Sequence, residues 1–183
     1  MGLIWIAGAA LWGIAEATVF FIVPDVLLTL AAMRFGLKAG LKLSVVAAAA
    51  ASLAGIAMWM WGRHDIAGAR HAMLMVPAIG PDLLARAARE TGAGWPLHLV
   101  TGAMTGVPYK LYAVEVGARG LPLVLFVPMS FVARFTRFAL TAALAAGGRW
   151  LALSVGKPKL GLWGWGAAWL AVYAIYFTLR AVV

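Results

Sequence analysis

Cysteine is absent from the chain. That excludes a disulfide framework, a zinc–thiolate site, an iron–sulfur cluster and a cysteine nucleophile. Charge is nearly as scarce. Charged residues make up 11% of the sequence and hydrophobic residues 64%, whereas soluble domains carry about 25% charge. A water-facing surface cannot be assembled from so few charges, so a soluble globular enzyme is excluded. The apolar content also excludes a disordered chain. Acidic residues are scarcest: six Asp and Glu stand against fifteen Lys and Arg, a net charge of +9. In water that excess would point to nucleic acid. Here the basic residues stand mostly at the ends of apolar runs, where they meet lipid phosphates, so nucleic acid is not expected as a partner. No phosphate-binding loop, dinucleotide fingerprint or nucleophile-plus-base set is present, so neither an enzyme nor a cofactor is expected. His64 and His71 could share a helix face, but two histidines make a poor metal site. The opening MGLIWIAGAALWG lacks the basic region of a cleavable signal and the Ser or Thr of a myristoylation site, so this run is expected to stay in the mature protein.

What is present is a set of apolar segments, which makes the chain an expected all-α integral membrane protein of 183 residues in one membrane domain, 1–183. A spanning helix needs about 20 apolar residues. Segments 43–62 and 160–179 meet this without a charge, and tryptophans near an end suit an interfacial anchor. Segment 121–147 is long enough but contains Arg134, Arg137 and Pro128, and the proline is expected to bend or interrupt the helix. Two further apolar segments are abnormal. Residues 3–33 are broken by Val23-Pro24-Asp25, and residues 98–118 contain Gly102, Gly106, Pro108, Lys110 and Glu115. Broken helices persist at membrane depth only where protein or a wet cavity satisfies their freed backbone groups. The polar loop 63–96 between them holds one expected surface helix in GPDLLARAARETG. Pro81 and Asp82 suit its start, Gly92 its stop, and Arg86 and Glu90 are spaced as an i,i+4 pair. The Gly36/Gly40 and Gly102/Gly106 spacings read as close helix packing.

VPDVLLTLAAMRFGL (23–37) lies over VPYKLYAVEVGARGL (107–121) without a gap, and each copy leads into a full span. If each broken segment enters and leaves on one side, the two halves, about 3–62 and about 98–147, form an inverted repeat. Two opposed re-entrant hairpins, with tips at Pro24 and Pro108, then accompany three transmembrane helices, the last at about 160–180. Such repeats are typical of transporters, with the substrate at the repeat interface. The competing topology has five full crossings. On the hairpin topology, Arg34, Lys38, Lys42, Arg149, Lys157 and Lys159 fall on one face and Arg63, Arg70, Arg86, Arg89, Arg119 and Arg180 on the other. The positive-inside comparison therefore does not orient the chain.

Six ionisable residues fall inside apolar segments: Glu16, Asp25, Lys110, Glu115, Arg134 and Arg137. An unpaired Arg at the helix centre costs about 2.5–3.5 kcal/mol, so the two arginines together approach the whole stability of a domain. They must face partners or water. Three residues apart, they share a helix face, and two guanidiniums on one face can grip a phosphate with forked hydrogen bonds. Arg134 and Arg137 are thus the expected binders of an anionic headgroup, with Glu16 and Asp25 as exchangeable counter-ions or proton carriers. The bland alternative is that these carboxylates pair with the arginines only to lock the fold. Lys110 reads equally as a third phosphate contact or as a side chain snorkelling to the interface. Glu115 reads as the partner of Lys110 or of an arginine.

Three stretches resemble the DedA family, also described as the VTT or SNARE-associated Golgi-protein domain, and within it the small YqaA-like bacterial branch. AEATVFFIVPDVLL (15–28) is similar to the first hairpin, TGVPYKLYAVEVGARG (105–120) to the second, and FVARFTRF (131–138) to the paired-arginine helix. The tips are less proline-rich than in that branch, with Val23 and Thr105-Gly106-Val107 in such positions. The resemblance implies two opposed re-entrant hairpins in the bacterial inner membrane. It also implies movement of phospholipid or undecaprenyl phosphate across that membrane, with protons as a second partner. The family's acidic hairpin residues correspond to Glu16 and Asp25 and its arginines to Arg134 and Arg137. A proton-coupled small-ion exporter and a membrane scaffold are the other expected classes, and a homo-oligomer is left open.

Overall fold

The structure is a computed structural model that describes residues 2–92 and 94–181, without the side chains of 158, 160 and 179–181. Arg180 and the end of the last expected span therefore lie outside the described side chains. The described residues are all-helical, without a strand.

Two long helices form the centre. α3 (Leu37–His64) carries five alanines at 47–51, the strongest helix formers, and α8 (Leu123–Ser154) is longer still. Both are long and apolar enough to cross a membrane. At 1.5 Å per residue they reach about 42 and 48 Å, beyond the roughly 30 Å of a hydrocarbon core. They run antiparallel. A Cβ on Gly40 would lie 3.2 Å from Ala142 Cβ, while the Trp59 indole donates to Leu121 O at 3.1 Å. Pro128 lies inside α8 without interrupting it, since one lost backbone bond near the start of a 32-residue helix leaves the rest of the ladder in place.

Both abnormal segments are broken helices. α1 (Leu3–Thr18) stops before Pro24, and α2 (Asp25–Phe35) starts after it. α6 (Trp95–Thr105) stops before Pro108, and α7 (Tyr109–Ala118) starts after it. Pro24 and Pro108 hold the N-cap positions of α2 and α7, where a missing N–H costs nothing. The repeated Gly-Leu also recurs structurally: Gly36 at φ +88° and Gly120 at φ +65° turn the chain into its long helix, a backbone region that favours glycine. Packing is exchanged between the halves. α1 lies on α3 and α6 on α8, but α2 also packs on α8 and α7 on α3.

The loop 63–96 differs from expectation. α3 continues to His64, and α4 (Ile66–Leu74) follows at once, capped by Asp65, whose Oδ1 accepts from Gly68 N at 2.8 Å. α5 (Pro81–Glu90) is the expected surface helix, with Arg86 Nε 2.7 Å from Glu90 Oε1. α4 and α5 cover α7, which is buried from Tyr109 to Gly117. α9 (Pro158–Ala181) packs on α8. Large apolar side chains point outward along α1, α8 and α9; Leu3, Val124 and Trp163 are 80%, 84% and 77% exposed.

Candidate functional site

The two helix breaks meet. Phe20, Phe21 and Val23 of the first and Gly106, Val107 and Pro108 of the second line one cavity of about 160 Å³. The backbone groups freed at the first break are satisfied by distant side chains, as a dry environment requires. The Lys110 ammonium donates to Phe20 O at 2.7 Å, the Trp12 indole to Ile22 O at 2.8 Å, and Val23 N donates to Tyr173 Oη at 3.0 Å. The first contact ties one break to the other. Lys110 is buried, so it does not snorkel. Its ammonium is held inside by a carbonyl that the helix break leaves without its usual partner.

Arg134 and Arg137 enter the same cavity from α8, one helical turn apart. Their surroundings differ. Arg134 is buried, and both its terminal nitrogens bond the Glu16 carboxylate of α1. Its guanidinium also lies over Tyr109 and Phe138, 5.0 and 4.8 Å from the ring centroids. Arg137 is half-buried and more loosely held. Nη1 donates to Ala103 O at 3.2 Å, and Nη2 stands 3.5 Å from Asp25 Oδ2. Asp25 is fully buried, and its Oδ1 accepts from Thr141 Oγ1 at 2.9 Å. The acid–base pairing of the bland alternative is thus present, tight for Arg134 and slack for Arg137.

Glu115 is not part of this constellation. It is an arginine's partner, as expected, but the arginine is Arg70 of α4, which reaches both carboxylate oxygens at 2.7 and 2.8 Å. This pair clamps α4 to α7 from outside. Pro108 lines the cavity, whereas Pro24 serves as the cap behind Asp25.

Several members of the site were not singled out from sequence. Thr141 lies four residues beyond Arg137, on the same face, and that spacing was a usable signal. Tyr109, Trp12 and Tyr173 carried none: Tyr173 is 150 residues from Val23, Tyr109 offers its ring face to an arginine of another element, and Trp12 donates to a main-chain carbonyl.

Lys110, Arg134, Arg137 and Glu16 line the cavity, and Asp25 stands behind Arg137. One positive charge is in excess, and among the described residues Lys110 makes no ion pair. A small, largely apolar-walled space into which an excess of positive charge projects is suited to an oxyanion. Comparison with protein-family models, with characterised proteins and with solved structures finds no match to this chain.

Proposed function

We propose that the chain is a multi-pass membrane transporter of the DedA type that moves a phosphate-bearing lipid across the bacterial inner membrane. In this reading α1–α2 and α6–α7 are two opposed re-entrant hairpins, and α3, α8 and α9 are the full spans. The antiparallel α3 and α8, with the second arm of each broken segment packed on the other half's long helix, support an inverted repeat whose axis lies in the membrane plane. The outward apolar side chains of α1, α8 and α9 suit a lipid surround better than water.

The observation that carries the function is the charge excess in the cavity where the two tips meet. An uncompensated cation at membrane depth is costly, and an anionic headgroup removes that cost. Arg137 is the contact that exchanges: Asp25 gives way to a phosphate oxygen at its loosely held Nη2. Lys110 has two further protons to donate and provides a second contact. Arg134, whose two terminal nitrogens are held by Glu16, supplies field and holds α1 against α8. Rocking of the halves about the cavity exposes the headgroup to each face in turn. No covalent chemistry is involved. Transport rates with and without a pH gradient test proton coupling; equal rates would remove it.

Reconstitution of the full chain in liposomes carrying labelled phosphatidic acid or undecaprenyl phosphate tests the reading. Movement between leaflets is expected for the parent. Arg137→Gln is expected to lower it by about 10- to 100-fold, the worth of a charge-assisted hydrogen bond at roughly 1.5–3 kcal/mol. Ion flux without lipid movement would assign an exporter instead, and neither movement nor flux would leave a scaffold.

A further inference from the structure

α8 and α9, with Thr29 and Met33 of α2, border a second, open cavity of about 630 Å³ with almost no polar wall. Small residues recur at one spacing on both sides, at 145, 148 and 152 on α8 and at 161, 164 and 168 on α9. In membrane helices such stripes draw backbones together. Here they do so only at one end, where a Cβ on Gly161 would lie 3.3 Å from Ala152 Cβ. A Cβ on Gly148 or Gly164 would meet nothing within 4 Å. The stripes therefore form a groove rather than a contact.

The groove adjoins the cationic cavity, since Trp169 and Val172 line both. That shared wall is held in place: the Trp165 and Trp169 indoles donate to Thr29 Oγ1 at 2.9 and 3.1 Å, and Thr29 donates to Asp25 O at 2.6 Å. From Thr141, which bonds Asp25, the groove follows α8 to Val155, about 21 Å of helix. Half of a roughly 30 Å hydrocarbon core is about 15 Å, so the groove is long enough to lead from the site to the membrane surface.

We infer that the groove holds one apolar chain of the same lipid whose phosphate occupies the cavity. The inference rests on the lipid-moving reading above and specifies its substrate as an amphiphile with an anionic head and a long chain bound together. A small soluble anion has no use for the groove. A helix of a second copy would fill the groove without reaching the charges beside it.

The test uses the full chain in phosphatidylcholine vesicles doped with phosphatidic acid carrying a photoactivatable diazirine midway along one chain. Mass spectrometry then maps the labelled residues. Labels are expected on Leu144, Ala145 and Ala168. The double variant Gly148→Leu/Gly164→Leu, whose new side chains enter open space, is expected to lower both labelling and lipid movement by about 15-fold, as if two methylenes lost their burial. Labels spread evenly over outward residues such as Leu11, Val124 and Leu170 would overturn the inference. A double variant that moves lipid like the parent, while Arg137→Gln does not, would overturn the groove and leave the cavity reading standing. Labelling and movement both intact in Arg137→Gln would overturn the two together. A double variant altered only in oligomeric state would give the groove to a second copy and overturn it too.

Discussion

Arg134 and Arg137 sit one helical turn apart and face opposite demands. Arg134 is sealed between Glu16 and two aromatic rings, so its removal strands a buried carboxylate. Arg134→Ala is expected to cost about 3–5 kcal/mol, the usual penalty for breaking a buried pair, read as a lower unfolding midpoint in detergent. Replacing both partners, Glu16→Leu with Arg134→Met, is expected to recover most of that loss, because the desolvation of both charges disappears together. If the double variant is as unstable as the single, Glu16 is not the residue left stranded. At this scale much was legible. Six ionisable residues in apolar sequence had to find partners or water, and acids and bases occur in equal number among them. The identity of each partner was less legible. Lys110 bonds a main-chain carbonyl, which no side-chain pattern announces, and Glu115 pairs with Arg70 because an unforeseen helix brings it there.

Among the elements, the breaks were readable and the cover over them was not. Val-Pro at 23–24 and 107–108 marked both breaks, since proline lacks a donor and restricts its neighbour, although the same pair at 127–128 is carried inside α8. α4 was missed because its nine residues include Arg70, His71 and a glycine; only Asp65, a good cap before Ile66, marked its start. The glycine spacings were half readable. Gly40 packs against Ala32 and Ala142 and Gly102 against Tyr112, but Gly36 and Gly106 are turn residues at positive φ with open space around them. α5 is held on α7 through Glu90, which bonds Tyr112 and Arg86, while Glu90 O contacts His98 of α6 at 2.7 Å. Burial pushes the Glu90 carboxyl up, yet the hydrogen bonds from Tyr112 and Arg86 outweigh it and hold the group below its ordinary value. A folded value below the unfolded one means stabilisation that is present above the unfolded pKa and lost as pH falls through the folded one. The backbone amides of α5 are therefore expected to exchange hydrogen faster in acid than at neutral pH, relative to those of α3. In Glu90→Gln this acid-dependent difference should vanish; its persistence would place the sensitive group elsewhere.

The whole molecule is built around a single meeting point. Its central pair of long helices was readable from apolar length, and the likeness of 23–37 to 107–121 from five coinciding residues. The exchange of arms between halves was not, because nothing in a linear pattern says which long helix a short one will choose. That exchange brings both breaks, three cations and the Glu16 carboxylate to one small cavity, with Asp25 behind Arg137. It also sets the cavity beside an apolar groove. The central claim is that this cavity binds a lipid phosphate. Native mass spectrometry of the purified full chain, supplied with phosphatidic acid and with an uncharged diacylglycerol of the same chain length, tests it most directly. The account predicts one phosphatidic acid retained per chain by the parent, no comparable retention of the diacylglycerol, and loss of the bound lipid in Arg137→Gln. Equal retention of the two lipids, or undiminished phosphatidic acid on the variant, would contradict it.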